Sequence, residues 1–142
     1  MSKTNKGQKK IPIFLQARMN SSRLPGKMLM EMKNKKTLLE NVIYRCKMCK
    51  MIDRIIVLTS TEPSDDKIVS LCEKNEIDIF RGSLENVYER YIGCIKYYKV
   101  DSFVRICGDS PFISHKLIDF EVIATKNSFE FISPLLLESI SH

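Results

Sequence analysis

Residues 11–27 read IPIFLQARMNSSRLPGK. The first six of them, Ile11–Gln16, are almost entirely apolar, whereas most of the rest are basic, small or turn-forming. A short apolar run between polar segments is typical of a strand that is buried on both faces of a sheet. Pro12 lies near the start of the run, where a missing backbone donor is tolerated. The stretch therefore predicts a buried strand with a polar loop at its carboxyl end.

Strand-like and helix-like patterns alternate along the rest of the chain. Thr37 with Glu40 forms a capping-box pattern before an apolar stripe that runs to about Lys50. We predict further helices opened by Pro63, Ser83 and Ser114, and strands over 54–60, 77–80, 102–106 and 129–133. Alternation of this kind favours an α/β domain with a mostly parallel sheet and helices on both faces. The tyrosines of the third helix, Tyr88, Tyr91 and Tyr98, are interpreted as core residues.

Length and composition favour one compact domain over residues 11–142, preceded by a disordered basic tail over residues 1–10. The net charge is +6, and it lies at the front of the chain. Residues 11–54 carry ten basic and three acidic side chains, whereas residues 55–142 carry nine basic and fourteen acidic ones. Because no apolar run approaches the roughly 20 residues of a membrane span, we expect a soluble protein of the cytoplasm with no membrane partner.

Five cysteines without the regular spacing of a secreted scaffold fit a reducing compartment. Cys46 and Cys49 have the spacing of a zinc or redox pair. No second pair of cysteines or histidines completes a ligand set, and the spacing falls within a helical pattern. We therefore interpret both thiols as packing residues.

The loop after the first strand concentrates groups that suit a polyphosphate. Arg18, Arg23 and Lys27 supply three cations, and the Pro25–Gly26 turn would direct Lys27 back towards the strand. A solvated basic loop is the alternative, but ligands of such sheets bind outside the carboxyl ends of the strands. The GxxxxGK[ST] pattern of a P-loop is absent.

Other polar residues follow the remaining strands. Asp109, in the run VRICGDSP over residues 104–111, is a candidate ligand of Mg²⁺, although an aspartate that forms a turn is the alternative. Further candidates at the same edge of the sheet are Thr59, Ser60, Thr61, Arg81 and Gly82. His115 is interpreted as a surface residue at a helix start. No nucleophile and base stand in a recognisable arrangement, so direct transfer is the simpler mechanism.

Five segments, taken in order, resemble one known family. They are QARMNSSRLPGKML at 16–29, LLENVIYR at 38–45, IVLTST at 56–61, FRGSLENVYERY at 80–91 and VRICGDSPFI at 104–113. They are similar to the spore coat polysaccharide biosynthesis protein F type of cytidylyltransferase, which is related to the acylneuraminate and 3-deoxy-manno-octulosonate cytidylyltransferases. The resemblance covers about residues 11–120.

This resemblance implies a Rossmann-like nucleotide-diphospho-sugar transferase fold in three α/β/α layers. It also implies transfer of CMP from CTP to a sugar, such as an acidic nonulosonate, with release of pyrophosphate in polysaccharide biosynthesis. Carried onto this sequence, it gives catalytic roles to Arg18, Lys27 and Asp109, with Asp109 as the Mg²⁺ ligand. The implied nucleotide contacts are Ala17, Arg18, Ser22, Arg23, Lys27, Thr59, Ser60, Thr61, Arg81, Gly82 and Arg105.

The chain departs from the family beyond its last predicted strand. Relatives continue into segments that hold the sugar, add an acidic metal ligand and form a homodimer, so we expect a C-terminally truncated chain. The alternatives are a non-catalytic nucleotide-binding remnant and a transferase that uses another nucleotide. A basic nucleic-acid-binding module is a third alternative, prompted by the pI of 9.1, but the chain lacks the interleaved aromatic and basic residues of such modules.

Overall fold

The computed structural model describes residues 11–20, 23–110 and 112–126. Within these ranges, strands and helices alternate as predicted. The strands are β1 (Ile11–Gln16), β2 (Ile52–Ser60), β3 (Asp78–Gly82) and β4 (Val104–Cys107), and the helices are α1 (Leu38–Lys47), α2 (Asp66–Lys74), α3 (Val87–Tyr98) and α4 (His115–Lys126). None of these helices is long and apolar enough to cross a membrane. The strand predicted over 129–133 lies outside the described residues.

The four strands form one parallel sheet in the order β3-β2-β1-β4. β1 is paired on both sides, with Leu15 opposite Val57 on β2 and Ile106 on β4. This position explains why Ile11–Gln16 is apolar without alternation, since a central parallel strand is covered on both faces. The parallel sheet is confirmed. It brings the carboxyl ends of all four strands to one edge.

Helices cover both faces of the sheet, as predicted. On one face, Leu15, Val57 and Ile106 pack in one core with apolar residues of α1, α2 and α4. On the other face, Phe14 and Leu58 pack with residues of α3. Full burial of such side chains contributes roughly 1.5–3 kcal/mol each. The two cores fix the strands and thereby the edge at which their carboxyl ends meet.

The capping box of α1 is confirmed. The Thr37 hydroxyl accepts a hydrogen bond from the Glu40 amide at 3.1 Å, and the Glu40 carboxylate accepts one from the Thr37 amide at 2.8 Å. The bond from the Thr37 amide lowers the pKa of Glu40, against the opposing effect of burial. The helix ends at Lys47 rather than near Lys50, because a turn leads directly into β2, which begins at Ile52.

The predicted start of α3 was wrong. Asn86 caps the helix and accepts from the Glu89 amide at 3.1 Å, whereas Ser83 belongs to the preceding turn. The physical reason is that the Ser83 carbonyl accepts hydrogen bonds from the Arg90 side chain. The tyrosine prediction was also wrong in part: Tyr91 is buried, but Tyr88 is 75% exposed.

Cys46 and Cys49 are both buried, and burial is the main cause that raises the pKa of each thiol to about 12. In the parts of the chain that the structure describes, no three His, Cys, Asp or Glu side chains are grouped so that they could hold a metal ion. The packing interpretation of these two cysteines therefore accounts for what is seen.

Candidate functional site

The loop after β1 folds back on itself at the carboxyl edge of the sheet. The Gly26 amide donates to the Met19 carbonyl at 2.7 Å, which closes the loop. Gly26 has a φ of 78°, a left-handed conformation that glycine adopts without steric cost. Lys27 follows as the first residue of a short 3₁₀ helix, Lys27–Leu29. The predicted turn thus returns Lys27 towards the sheet.

Lys27 meets Asp109 at this edge. The lysine Nζ lies 2.7 Å from the Asp109 Oδ2, although the two residues are 82 positions apart in sequence. Their side chains are 23% and 39% exposed, so both remain accessible to a ligand. Two of the three residues that were predicted to be catalytic are therefore in direct contact.

Gly108 brings the β4 turn against β1. Its amide donates to the Gln16 carbonyl at 2.8 Å. A Cβ at this position would lie 3.0 Å from that carbonyl oxygen and 3.2 Å from the Ala17 Cβ. Because the first of these neighbours is backbone, a larger residue would displace the turn. The missing side chain therefore lets Asp109 lie beside the loop.

The buried carboxylate of Asp65 holds the same loop in place by hydrogen bonds. The sequence analysis did not identify this role. Its carboxylate is 1% exposed and accepts hydrogen bonds from the Met19 amide at 2.7 Å and from the amide and hydroxyl of Ser60. Burial acts to raise its pKa, but these hydrogen bonds outweigh burial and leave the pKa below its usual value. Asp65 thus ties the loop after β1 to the end of β2.

The predicted residues after β2 and β3 occupy this edge in different ways. Thr59 and Ser60 are fully buried, whereas Thr61 is exposed. Arg81 donates to the carbonyls of Ser60 and Glu62 at 2.8 Å each, and it pairs with Asp66 at 2.7 Å. Arg81 therefore holds the ends of β2 and β3 together.

A polar network lies near the carboxyl ends of β1 and β4 and is formed by Gln16, Tyr91 and Arg105. The Gln16 side-chain oxygen accepts from the Tyr91 hydroxyl and from Arg105 Nη2, both at 3.1 Å. The Arg105 guanidinium lies 5.0 Å from the centre of the Tyr91 ring. Burial is the main cause that raises the pKa of Tyr91 to about 12. Arg105, a predicted nucleotide contact, is thus already bound to Gln16 and Tyr91.

The remaining predicted contacts lie in the loop itself. Ala17 is buried, and its amide donates to the Leu58 carbonyl at 3.0 Å. Arg18 is half-buried, and its Nε has no hydrogen-bond partner among the described residues. Arg23 is exposed. Ser22 lies outside the described residues. The loop that carries Lys27 therefore also carries a half-buried and an exposed arginine.

Comparisons with known proteins identify the chain's relatives. A family model described as cytidylyltransferase matches residues 13–137. An uncharacterized protein of Methanocaldococcus jannaschii is 39% identical over 125 residues, which are 87% of this chain and 51% of that protein. The spore coat polysaccharide biosynthesis protein SpsF of Bacillus subtilis is 34% identical over 118 residues, which are 80% of this chain and 49% of that protein.

A solved structure shows the same arrangement of strands and helices. The cytidylyltransferase from Leptospira borgpetersenii is 38% identical to this chain and superposes with a TM-score of 0.77. The match covers 81% of this chain and 48% of that structure. This confirms the Rossmann-like nucleotidyltransferase fold. The chain spans about half the length of the relatives that it matches.

Proposed function

This chain belongs to the cytidylyltransferase family, and on that premise we propose that it binds CTP at the carboxyl edge of its sheet and transfers CMP to a sugar. The observation that carries the proposal is the 2.7 Å contact between Lys27 and Asp109 beside the basic loop after β1. Binding of a nucleoside triphosphate requires several cations for its phosphate oxygens, together with a carboxylate that can hold the accompanying metal ion. Both kinds of group converge here.

The reaction follows from this arrangement of charges. A sugar hydroxyl attacks the α-phosphorus in line, the bond from that phosphorus to the bridging oxygen breaks, and pyrophosphate leaves with the electron pair while the hydroxyl proton passes to solvent. Arg18, Arg23 and Lys27 neutralise the phosphate oxygens and the departing pyrophosphate. Positioning and electrostatic stabilisation therefore account for the catalysis, without a covalent intermediate.

The residues of the edge suit Mg²⁺. This ion usually takes one or two protein carboxylates and completes its shell with water and substrate phosphates. Asp109 is a partly exposed carboxylate of this kind, and it would hold the ion once Lys27 has turned to the phosphates. When bound, Mg²⁺ neutralises charge on the phosphate oxygens. Further ligands would come from the nucleotide, since the described residues contain no larger acidic cluster.

The sugar class is a second part of the proposal. SpsF of Bacillus subtilis is a spore coat polysaccharide biosynthesis protein, and this relationship supports a sugar destined for a surface polysaccharide. We propose that this sugar is acidic, as the resemblance to the acylneuraminate and 3-deoxy-manno-octulosonate cytidylyltransferases implies. We propose that the reaction takes place in the cytoplasm, and the five free cysteines support a reducing compartment. We also propose residues 11–142 as the nucleotide-binding portion of a transferase domain, with no nucleic-acid or membrane partner, and we assign the homodimer that the family resemblance implies to a segment outside this portion.

The test compares four nucleotides and measures the reaction. Isothermal titration with CTP, UTP, GTP and ATP in the presence of Mg²⁺ should show CTP binding at least about tenfold tighter than the others, a preference of about 1.4 kcal/mol. Pyrophosphate release should then require both CTP and an acidic sugar. Equal binding of all four nucleotides would contradict the proposal. Preferred binding of CTP without pyrophosphate release from any sugar would instead identify a nucleotide-binding remnant.

A further inference from the structure

Arg90 is a fully buried arginine at the carboxyl edge of the sheet. Its exposed fraction is 0%, yet it lies in the first turn of α3, where an exposed side chain would be ordinary. Its Nε and Nη2 donate to the Ser83 carbonyl at 2.9 and 2.6 Å, and Nη2 also reaches the Leu84 carbonyl at 3.2 Å. Its Nη1 has no hydrogen-bond partner among the described residues.

The backbone around Arg90 is adapted to its side chain. A Cβ at Gly82 would lie 2.8 Å from the Arg90 Cγ and 3.1 Å from its Cα. The end of β3 therefore contacts the arginine so closely that no side chain fits between them. This contact fixes Arg90 between the end of β3 and the first turn of α3.

The charge of Arg90 has no matching carboxylate in the part of the chain that the structure describes. None of the ion pairs found there includes Arg90. Burial lowers its pKa, and the nearby positive charge of Arg18 lowers it further. The negative charge of Asp65 raises the pKa of Arg90, but Asp65 already accepts hydrogen bonds from Met19 and Ser60. Arg90 thus keeps a buried N–H donor without a partner and makes no ion pair with a carboxylate among the described residues, which is costly unless an anion binds.

Arg18 has a second buried N–H donor, its Nε, without a hydrogen-bond partner among the described residues. It lies on the loop after β1, whose cations we propose to bind the phosphates of CTP. Each guanidinium thus keeps an unused N–H donor, and planar guanidinium groups match the geometry of phosphate oxygens. The two donors come from different elements, the loop after β1 and the first turn of α3.

We infer that Arg18 and Arg90 form one phosphate subsite, in which the unused donors of both guanidinium groups bind oxygens of the nucleotide's phosphate chain. This inference rests on the proposed function and adds Arg90 to its binding residues. The alternative is that Arg90 serves only to hold the carbonyls of Ser83 and Leu84. The two roles predict different effects of an Arg90 substitution on the affinities for ligands that contain phosphate and for ligands that do not.

The test uses Arg90→Met and Arg90→Lys with three probes, CTP, inorganic pyrophosphate and cytidine, in isothermal titrations. We expect Arg90→Met to weaken binding of CTP and pyrophosphate at least about tenfold and to leave cytidine binding within about twofold of the wild type. Arg54→Met is the matched control, because Arg54 pairs with Asp78 at the opposite edge of the sheet and should leave all three affinities unchanged. A variant that binds pyrophosphate as the wild type does, or that loses all three ligands equally, would overturn the inference.

Arg90→Lys keeps the buried charge and a donor for the Ser83 carbonyl, so it provides the measurement if Arg90→Met does not fold. We expect it to weaken pyrophosphate binding as well, because a single ammonium group lacks the planar fork with which a guanidinium reaches the Ser83 carbonyl and a phosphate oxygen in different directions. In the double variant Arg18→Met/Arg90→Lys, the loss of CTP affinity should be smaller than the product of the single losses, since both residues would bind the same phosphate chain. Independent losses would count against a shared subsite.

The same titrations separate this inference from the proposed function. If the wild type binds pyrophosphate through Arg90 but shows no preference for CTP, the subsite stands and the cytidylyltransferase proposal fails. If the wild type prefers CTP and the Arg90 variants bind pyrophosphate normally, the proposed function stands and the subsite fails. If the wild type binds neither pyrophosphate nor any nucleotide, both are wrong.

Discussion

Asp109 could act as a partner in a surface ion pair or as a ligand of the metal ion, and the two roles predict different effects on stability and on the reaction rate. Its ion pair with Lys27 is partly exposed, and such pairs contribute about 0–1 kcal/mol to stability. A carboxylate that held the metal ion of a triphosphate would matter far more for the reaction. The pair is therefore interpreted as part of a ligand site and not as a stabilising contact.

Asp109→Asn should lower the rate of pyrophosphate release at least about a hundredfold, the effect of removing one electrostatic contact to the transition state. In urea, the same variant should change the free energy of unfolding by less than about 1 kcal/mol. Steady-state kinetics and denaturation curves measure the two quantities on one preparation. A variant with wild-type turnover, or one that loses turnover only because it unfolds, would contradict the assigned role.

Asp65 should act in the opposite way, as a stabilising residue that positions the loop. Asp65→Asn replaces one acceptor oxygen by an NH₂ group that faces donors, so at least one buried donor loses its partner. We expect a loss of about 1–3 kcal/mol in the free energy of unfolding. Asp66→Asn is the neighbouring control, since Asp66 is largely exposed and forms only a surface pair with Arg81. Equal stability of both variants would contradict this role.

The stability that Asp65 contributes should also depend on pH. Its folded-state pKa lies below the ordinary value, so the contribution is complete above the unfolded-state pKa of about 3.9 and is lost as the pH falls through the folded-state pKa. The difference in stability between wild type and Asp65→Asn should therefore shrink below about pH 4. A difference that stayed constant down to pH 2 would show that the charge of Asp65 contributes nothing.

The two aspartates also show how far sequence reasoning reached at single residues. Asp109 could be predicted because it follows a strand directly, and strand ends of a parallel sheet meet at one edge. Asp65 could not, because its sequence context reads as an ordinary helix start and its partner Met19 lies 46 residues away. Arg90 was missed for a similar reason, since the partners of its side chain are backbone carbonyls.

At the scale of elements, local patterns succeeded where the hydrogen bonds themselves are local. The capping box of α1 depends on two residues three positions apart, and it was predicted correctly from them. The start of α3 depends instead on how Arg90 uses the carbonyls of the preceding turn. Ser83 therefore had the right residue type for a cap but not its position, and Asn86 took that role.

Thr37→Ala should destabilise the protein by about 1 kcal/mol, because the Glu40 amide loses its acceptor at the start of α1. Ser70→Ala is a suitable control, since Ser70 is an exposed hydroxyl residue in α2 whose side chain only donates to the Asp66 carbonyl. Thermal or urea unfolding of both variants measures the difference. Equal stability would show that the capping box adds nothing in this fold.

For the whole molecule, alternation of strands and helices was enough to predict the parallel sheet and its two helix layers. Register and strand order came only from the structure, because the paired segments of β1, β2 and β4 are similarly apolar and no pattern distinguishes Leu15 from its partners Val57 and Ile106. The exact contacts at the carboxyl edge follow from that order. Sequence reasoning thus reached the correct edge, but not its internal hydrogen bonds.

The positive charge at the front of the chain offers a further prediction. If the nucleic-acid interpretation is wrong, binding of the full chain to single-stranded RNA should be weak at physiological salt. It should disappear when residues 1–10 are deleted, because the lysines of this segment would bind phosphates without sequence specificity. Fluorescence anisotropy over a range of salt concentrations measures this. Tight binding that survives the deletion would favour a nucleic-acid-binding module over a nucleotidyltransferase.

The central claim is that the loop after β1 and the turn after β4 form one site for the triphosphate of CTP. Calorimetric titration of CTP with Mg²⁺ into wild type, Lys27→Met and Lys47→Met tests it directly, since Lys47 is an exposed lysine near the opposite edge of the sheet. We predict that Lys27→Met binds CTP at least about tenfold more weakly and that Lys47→Met matches the wild type. Equal affinity of all three proteins for CTP would contradict the claim.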